Sequence, residues 1–482
     1  MMIKLRAIIN VLCALLLFLG VSLFIPAIVA WIYAGPDFWA FIETGLGCIL
    51  LGGVGVVLTR SKYELRPKEG FVIVTFGWLL FAGIGAIPFI LTGAIPSYTD
   101  AFFETMSGFT TTGATILTDV EILPQGLLFW RSFTHWLGGM GIILLSLAIL
   151  PLLGVGGMQL YKAEVPGPSP DKLSPRIKET AKMLWGVYFI LTFIETGLLW
   201  WAGMSFFDAL CHAFGTLATG GFSTKNASIG HYNSPMIDYI VILFMIFAGT
   251  NFALHYRALQ GKILYYWKDP EVQVYLGIVA FGTLIIGFTV WLNTEYGFVD
   301  NFRYSLFQVV SILTTTGYGT ADYELWGVTA HLLLFILMFI GGCAGSTAGG
   351  MKIIRPMVLF KFSRAEVLRL IHPQAVIPVR IGKMVIPREI ISTITGFFLF
   401  YVALFVFGTL FMSMLGLDLA TSLGSVAATI GNIGPGIGDV GPTDNFAHIP
   451  AIGKWFLSFL MLAGRLEIFT VIILFSRSFW RR

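Results

Sequence analysis

Four short segments combine threonine and glycine after an apolar stretch too short to cross a bilayer, and together they could coordinate a dehydrated cation. Aligned without gaps they read DAFFETMSGFTTTGAT (100–115), YSLFQVVSILTTTGYG (304–319) and DLATSLGSVAATIGNI (418–433); DALCHAFGTLATGGFS (208–223) is one residue shorter before its glycine. This alignment sets Gly113, Gly220, Gly317 and Gly431 at one register. A short helix that dips into hydrocarbon and returns as irregular backbone leaves carbonyls without partners, so they must face water or ions. Rings of carbonyl oxygens can replace the hydration shell of a monovalent cation. Glycine supplies the necessary dihedral freedom, and the C-terminal end of each helix adds partial negative charge. The candidate ion ligands are Thr111, Thr112 and Gly113; Ala218, Thr219 and Gly220; Thr315, Thr316 and Gly317; and Thr429, Ile430, Gly431 and Asn432. The competing reading is ordinary turns and Gly/Thr contacts between packed helices. Ile430 stands where the other copies have threonine, which makes any ring asymmetric.

A second constellation lies further along. Residues 341–350, GGCAGSTAGG, contain no large side chain and should break a helix. Gly341, Gly342, Gly345, Ser346, Thr347, Gly349 and Gly350 are either a mobile loop below the threonine strips or a close-packing surface. A phosphate-binding loop is excluded, because Met351 rather than lysine follows Gly350. Arg465 is the basic residue deep in an apolar segment, a costly position unless it meets a partner or a pore. It either bonds carbonyls of a neighbouring helix or presents its charge to the path opposite the 341–350 loop. Glu467, two positions on, would lie on a different helical face and makes a poor partner for it. Lys361, Arg364 and Arg369 are expected past a helix end, as a docking face for a soluble partner or an anchor on anionic lipid.

The elements that must position these residues are membrane spans. Of 482 residues, 56% are hydrophobic and 12% charged, far from the roughly 25% charged of soluble domains, and mean hydropathy is +0.83. Apolar blocks of spanning length fall at 8–33, 38–59, 71–95, 128–151, 183–203, 236–254, 272–292, 329–360, 389–415 and 454–475. The four strip-bearing segments are too short to span and are expected to be re-entrant. With the N-terminus inside, all but five of the 30 Lys and Arg fall on the inner side; Arg131, Lys225, Arg303 and Lys454 fall outside and Arg465 within the last block. The positive-inside rule is thus satisfied. The run 8–33 is too long for a secretory signal and is expected to remain as a span. The cysteines show neither CxxC nor metal-ligand spacing, and the scattered histidines and the absence of a nucleophile elbow argue against an enzyme.

All four strips lie in equivalent outside loops, so the repeats run parallel, unlike the inverted repeats of many secondary transporters. The expected fold class is an all-α polytopic membrane protein. Its four parallel repeats of helix, pore helix, filter and helix have pseudo-fourfold symmetry, with an extra N-terminal helix pair. The expected divisions are 1–66 for that pair, then 67–160, 161–260, 261–365 with the intramembrane loop, and 366–482. The strings SGFTTTGAT (107–115), ATGGFST (218–224), GGMGIILLSLAILPLLGVGGMQLYKAE (138–164), GGCAGSTAGGMK (341–352), GNIGPG (431–436) and GRLEIFT (464–470) resemble the Trk-type potassium uptake family, within the TrkH/KtrB/HKT superfamily of cation transporters. The 138–164 string and the extra helix pair favour its TrkH branch. The resemblance implies potassium as the transported ion, a gate formed by the 341–350 loop and Arg465, and multi-pass placement in a bacterial inner membrane with both termini cytoplasmic. It also implies a cytosolic TrkA-type regulatory subunit, with nucleotide (NAD or ATP/ADP) bound only there and no covalent cofactor, and a homodimer. Membrane lipid and potassium are the other expected partners; nucleic acid is not. A proton- or sodium-coupled symporter with alternating access is the competing function.

Overall fold

The computed structural model describes residues 5–60, 67–148 and 173–481. The expected borders at 66 and 160, the 138–164 string beyond residue 148 and the basic residues Lys162 and Lys172 lie outside the described residues. Among the described residues six helices are long and apolar enough to span a membrane, or eight if each of two bent pairs is counted as one span, against the ten blocks expected from hydropathy. A two-residue antiparallel pairing, Arg380–Ile381 with Met384–Val385, is the one β element among the described residues.

The first apolar block is helical from Leu5 to Ile32 with a slight break at Leu23, and it packs along Phe38–Thr59. Small residues permit that approach: a Cβ on Gly52 would lie 2.8 Å from the Cys13 carbonyl oxygen. Leu50, Leu51 and Val57 stay exposed on the other side of this pair, as lipid-facing side chains do.

The four short segments form helices Tyr98–Phe109, Phe206–Leu217, Phe298–Leu313 and Leu419–Ile430. Ser97, Ser205 and Asp418 cap three of them, each accepting a backbone N–H of the first turn. Each short helix packs against the long helix before it: Pro67–Gly85, Leu173–Trp201, Pro270–Asn293 and Arg388–Met414 respectively. The first also packs on Ala451–Arg465 of the fourth unit, the second on Gln125–Ala148 of the first, and the third on Pro235–Ala248 of the second. The units therefore follow one another around an axis, with the fourth closing on the first.

The apolar blocks after the short helices are less regular than their hydropathy implies. Block 128–151 appears as the unbroken helix Gln125–Ala148. Block 236–254 bends by 103° between Pro235–Ala248 and Phe252–Leu259, and block 454–475 bends by 112° between Ala451–Arg465 and Phe469–Phe475. Block 329–360 is helical from Val328 to Leu337 and, after an irregular stretch, again from Ile354 in helix Ile354–Ile371. Hydropathy reports apolarity, not dihedral angles. Glu467 and Ile468 have φ of 62° and 45°, and Gly341, Gly345, Gly350 and Lys352 are also left-handed; such residues end a helix wherever they occur.

Candidate functional site

All four short helices end in the same way. The N–H of Thr111, Thr219, Thr315 and Asn432 bonds the carbonyl three residues back, and the N–H of Thr112, Gly220, Thr316 and Ile433 bonds the carbonyl five residues back. This is a Schellman termination. Its left-handed position is held by Thr111, Thr219, Thr315 and Asn432, with φ of 51°, 55°, 58° and 54°. Two residues on, Gly113, Gly221, Gly317 and Gly434 have φ of 82°, 80°, 80° and 99°. The register thus differs from the one expected: Gly221, which the one-residue gap had set aside, and Gly434, not Gly220 and Gly431, match Gly113 and Gly317.

Capping explains the difference. From cap to glycine the spacing is the same in three units, 97–113, 205–221 and 418–434. Alignment of Asp418 with Asp100 and Asp208 displaced the fourth copy, because Asp418 is itself the N-cap whereas Asp100 and Asp208 lie in the first turn. Thr429 and Ile430 accordingly belong to the helix, and the fourth strip is Gly431-Asn432-Ile433-Gly434. The adjacent glycines of ATGGF were the legible sign for the second copy.

The strips touch in a closed cycle. A Cβ built on Gly113 would lie 2.1 Å from the carbonyl oxygen of Gly220, one on Gly221 2.0 Å from that of Thr316, one on Gly317 1.9 Å from that of Ile433, and one on Gly434 2.7 Å from that of Thr112. Each glycine thus abuts the residue preceding the next unit's glycine. A side chain is excluded twice, by space and by φ. Neutral side chains brace the junctions: Asn432 Nδ2 donates to Thr112 Oγ1 at 3.0 Å, Tyr318 Oη to the His212 carbonyl at 3.0 Å, and Tyr323 Oη to the Gly436 carbonyl at 2.6 Å. Buried His135 sits at the first junction, its Nδ1 2.7 Å from the Gly108 carbonyl oxygen and its Nε2 accepting the Phe222 N–H at 3.2 Å. On one side of the ring is a cavity of about 140 Å³ lined by Gly113, Gly221, Gly317 and Gly434 among others.

The 341–350 loop lies against the C-terminal ends of three short helices. Thr347 Oγ1 donates to the Leu217 carbonyl at 2.9 Å, the Gly349 N–H to Thr315 Oγ1 at 2.6 Å, and the Gly350 N–H to the Gly431 carbonyl at 3.0 Å. The structure brings Arg465 to this loop: its Nη1 donates to the Thr347 carbonyl at 2.7 Å and Nη2 to that of Gly138 at 3.5 Å. Arg465 is the last residue of its helix rather than mid-helix. Glu467 pairs with Arg355, whose guanidinium lies 3.9 Å from the Phe397 ring centroid.

Two residues missed by sequence reasoning complete the loop. Glu271 Oε1 accepts the N–H groups of Ala344 at 2.8 Å and Ile354 at 3.1 Å, fastening both ends, and Lys352 Nζ donates to the Ala348 carbonyl inside it. Glu271 is too far from the loop in sequence to leave a signal, whereas Lys352 follows the loop closely and is legible only as part of the motif 341–352. Lys361, Arg364 and Arg369 lie within helix Ile354–Ile371, not past a helix end. Lys361 Nζ donates to the Arg380 carbonyl at 2.8 Å and Arg369 Nη2 to that of Ile377 at 2.8 Å, so both tie down the adjoining hairpin. Arg364 is exposed.

Comparison with known proteins places this geometry in a family. The family model described as "TrkH: Cation transport protein" matches residues 38–482. The Trk system potassium uptake protein TrkH of Escherichia coli strain K12 is 43% identical over 481 residues, 99% of each chain. The Trk system potassium uptake protein TrkG of the same strain is 37% identical over 477 residues, 97% of each. The crystal structure of the potassium transporter TrkH from Vibrio parahaemolyticus matches with a TM-score of 0.92 at 39% identity, covering 99% of this chain and 100% of that one.

Proposed function

This chain belongs to the TrkH family of cation transport proteins, and on that premise we propose that it takes up potassium across a bacterial inner membrane through a selective pore gated from the cytoplasmic side. The carbonyls of 110–113, 218–221, 314–317 and 431–434 are the ion ligands. The closed cycle of glycine–carbonyl approaches is the observation that carries this reading, since four irregular strips around one axis are what dehydrated-cation binding requires. The 341–350 loop and Arg465 form the gate. A cation entering the loop's plane meets packed backbone and a buried guanidinium, and at a few ångströms in poorly screened surroundings that repulsion amounts to kilocalories per mole. Both termini are cytoplasmic, and the exposed face of helix Ile354–Ile371 docks a TrkA-type regulatory subunit, which alone carries nucleotide. The transporter acts as a homodimer.

Purified protein in liposomes should pass potassium and rubidium in preference to sodium. Equal fluxes of all three would overturn the reading. Coupled symport has one observation in its favour, the fully buried Glu195 within span Leu173–Trp201. Under that alternative an imposed proton gradient drives potassium uphill, whereas the pore lets potassium run only down its own electrochemical gradient.

A further inference from the structure

Arg131 and Glu104 form an ion pair immediately behind the first two strips, and both are almost completely buried. Arg131 Nε donates to Glu104 Oε1 at 2.8 Å. The carboxylate also accepts Thr115 Oγ1 at 3.0 Å and the Ile116 N–H at 3.0 Å, two and three residues past Gly113. The guanidinium reaches the other way: Nη1 donates to the Ser223 carbonyl at 3.1 Å, two residues past Gly221, and its carbon lies 4.1 Å from the Phe222 ring centroid. Nη2 lies 3.4 Å from Thr115 Oγ1. One fork therefore spans both strips directly beyond their ring glycines.

The other three junctions are braced by neutral Tyr318, Tyr323 and Asn432. The other ion pairs with a buried cation among the described residues, Arg303 with Asp238, Arg355 with Glu467 and Lys454 with Asp100, lie on helices or at the 467 bend and not on the strips. Arg131 also borders the cavity on the ring's Thr115 side, a place where an uncompensated cation would repel the transported ion. Glutamate at 104 cancels that charge while leaving the fork free to hold two carbonyl-bearing strips in register. Lysine could supply the charge but not the planar, multi-donor reach.

We propose that Arg131 and Glu104 are a charge-balanced positioning pair, in which Arg131 sets the spacing of the first two strips and so the ion selectivity, and Glu104 keeps the arginine's charge from depleting potassium at the entrance. This rests on the potassium-pore reading.

The two halves of the proposal separate experimentally, with potassium uptake and the potassium-to-sodium flux ratio measured in liposomes. Glu104→Gln keeps shape but unmasks the guanidinium: the half-saturating potassium concentration should rise severalfold, with maximal uptake and the flux ratio nearly unchanged. Arg131→Lys keeps the charge but loses the fork: the ratio should fall severalfold while the half-saturating concentration stays near wild type. In Glu104→Gln/Arg131→Gln, which contains no unpaired charge, the half-saturating concentration should return toward wild type while the ratio stays low. A purely structural pair would instead lower maximal uptake in all variants together, and that parallel loss would overturn the proposal. So would an unchanged ratio in folded Arg131→Lys. Failure of the wild-type protein to prefer potassium over sodium would overturn the underlying pore reading instead.

Discussion

Thr111, Thr219 and Thr315 hold β-branched side chains in left-handed backbone, which costs about 1–2 kcal/mol per residue for side chains other than asparagine or aspartate. Strain of this kind persists only where surrounding contacts determine the conformation; it repeats in three strips, and in the fourth Asn432 takes the same conformation, which asparagine tolerates. The glycines two residues on have no alternative. Serine at Gly113, Gly221, Gly317 or Gly434 should each lower the potassium-to-sodium flux ratio, because the neighbouring strip must move to admit a Cβ. Gly277, with nothing within 4 Å of a built Cβ, is the control whose serine variant should keep the ratio. Wild-type ratios in all four ring variants would remove these residues from the ion path. The residue types were readable from sequence because Thr-Thr-Gly is locally distinctive. The register of the fourth strip was not, since it depends on whether an aspartate caps a helix or sits in its first turn.

At the scale of the element, the 341–350 loop is held by hydrogen bonds to Thr315, Arg465 and Glu271. Arg465→Ala removes a buried charge and a tether to the Thr347 carbonyl together, so basal potassium flux without a partner should rise. Shortening 345–350 should do the same, and combining the changes should add little, as expected for groups in one network. Reduced flux in both, with normal folding, would make the loop structural. Helix Ile354–Ile371 bears on docking. Since Lys361 and Arg369 also secure the hairpin, Arg364→Glu is the cleaner test: it should weaken capture of a TrkA-type subunit increasingly as salt falls, with flux unaltered. Unchanged capture would move the docking face elsewhere. Composition alone foretold that 341–350 would be irregular, and Arg465 was legible as an outlier in apolar sequence. Its partners, the Thr347 and Gly138 carbonyls, were not legible, because they come from two other units distant along the chain.

For the whole molecule, the ring needs the four units, while the pair Leu5–Ile32 and Phe38–Thr59 packs on the outside of the first unit. Gly52→Val should overpack the contact with Cys13 and Leu17, lowering stability by about 1–3 kcal/mol while leaving the flux ratio intact; thermal unfolding in detergent and liposome flux together check this. A changed ratio would show that the pair helps to shape the ring. Hydropathy led to an expectation of ten spans, whereas among the described residues six helices are long and apolar enough to cross, or eight with the two bent pairs. The bends in the second, third and fourth units were not legible, because dihedral breaks in apolar sequence leave hydropathy unchanged. The central claim, that four strips around one axis bind the transported ion, is tested most directly by anomalous scattering from crystals grown in rubidium. The account predicts a peak on the axis among the carbonyls of 110–113, 218–221, 314–317 and 431–434, lost when sodium replaces rubidium. Rubidium bound elsewhere, with the axis empty in a protein that still conducts it, would contradict the account.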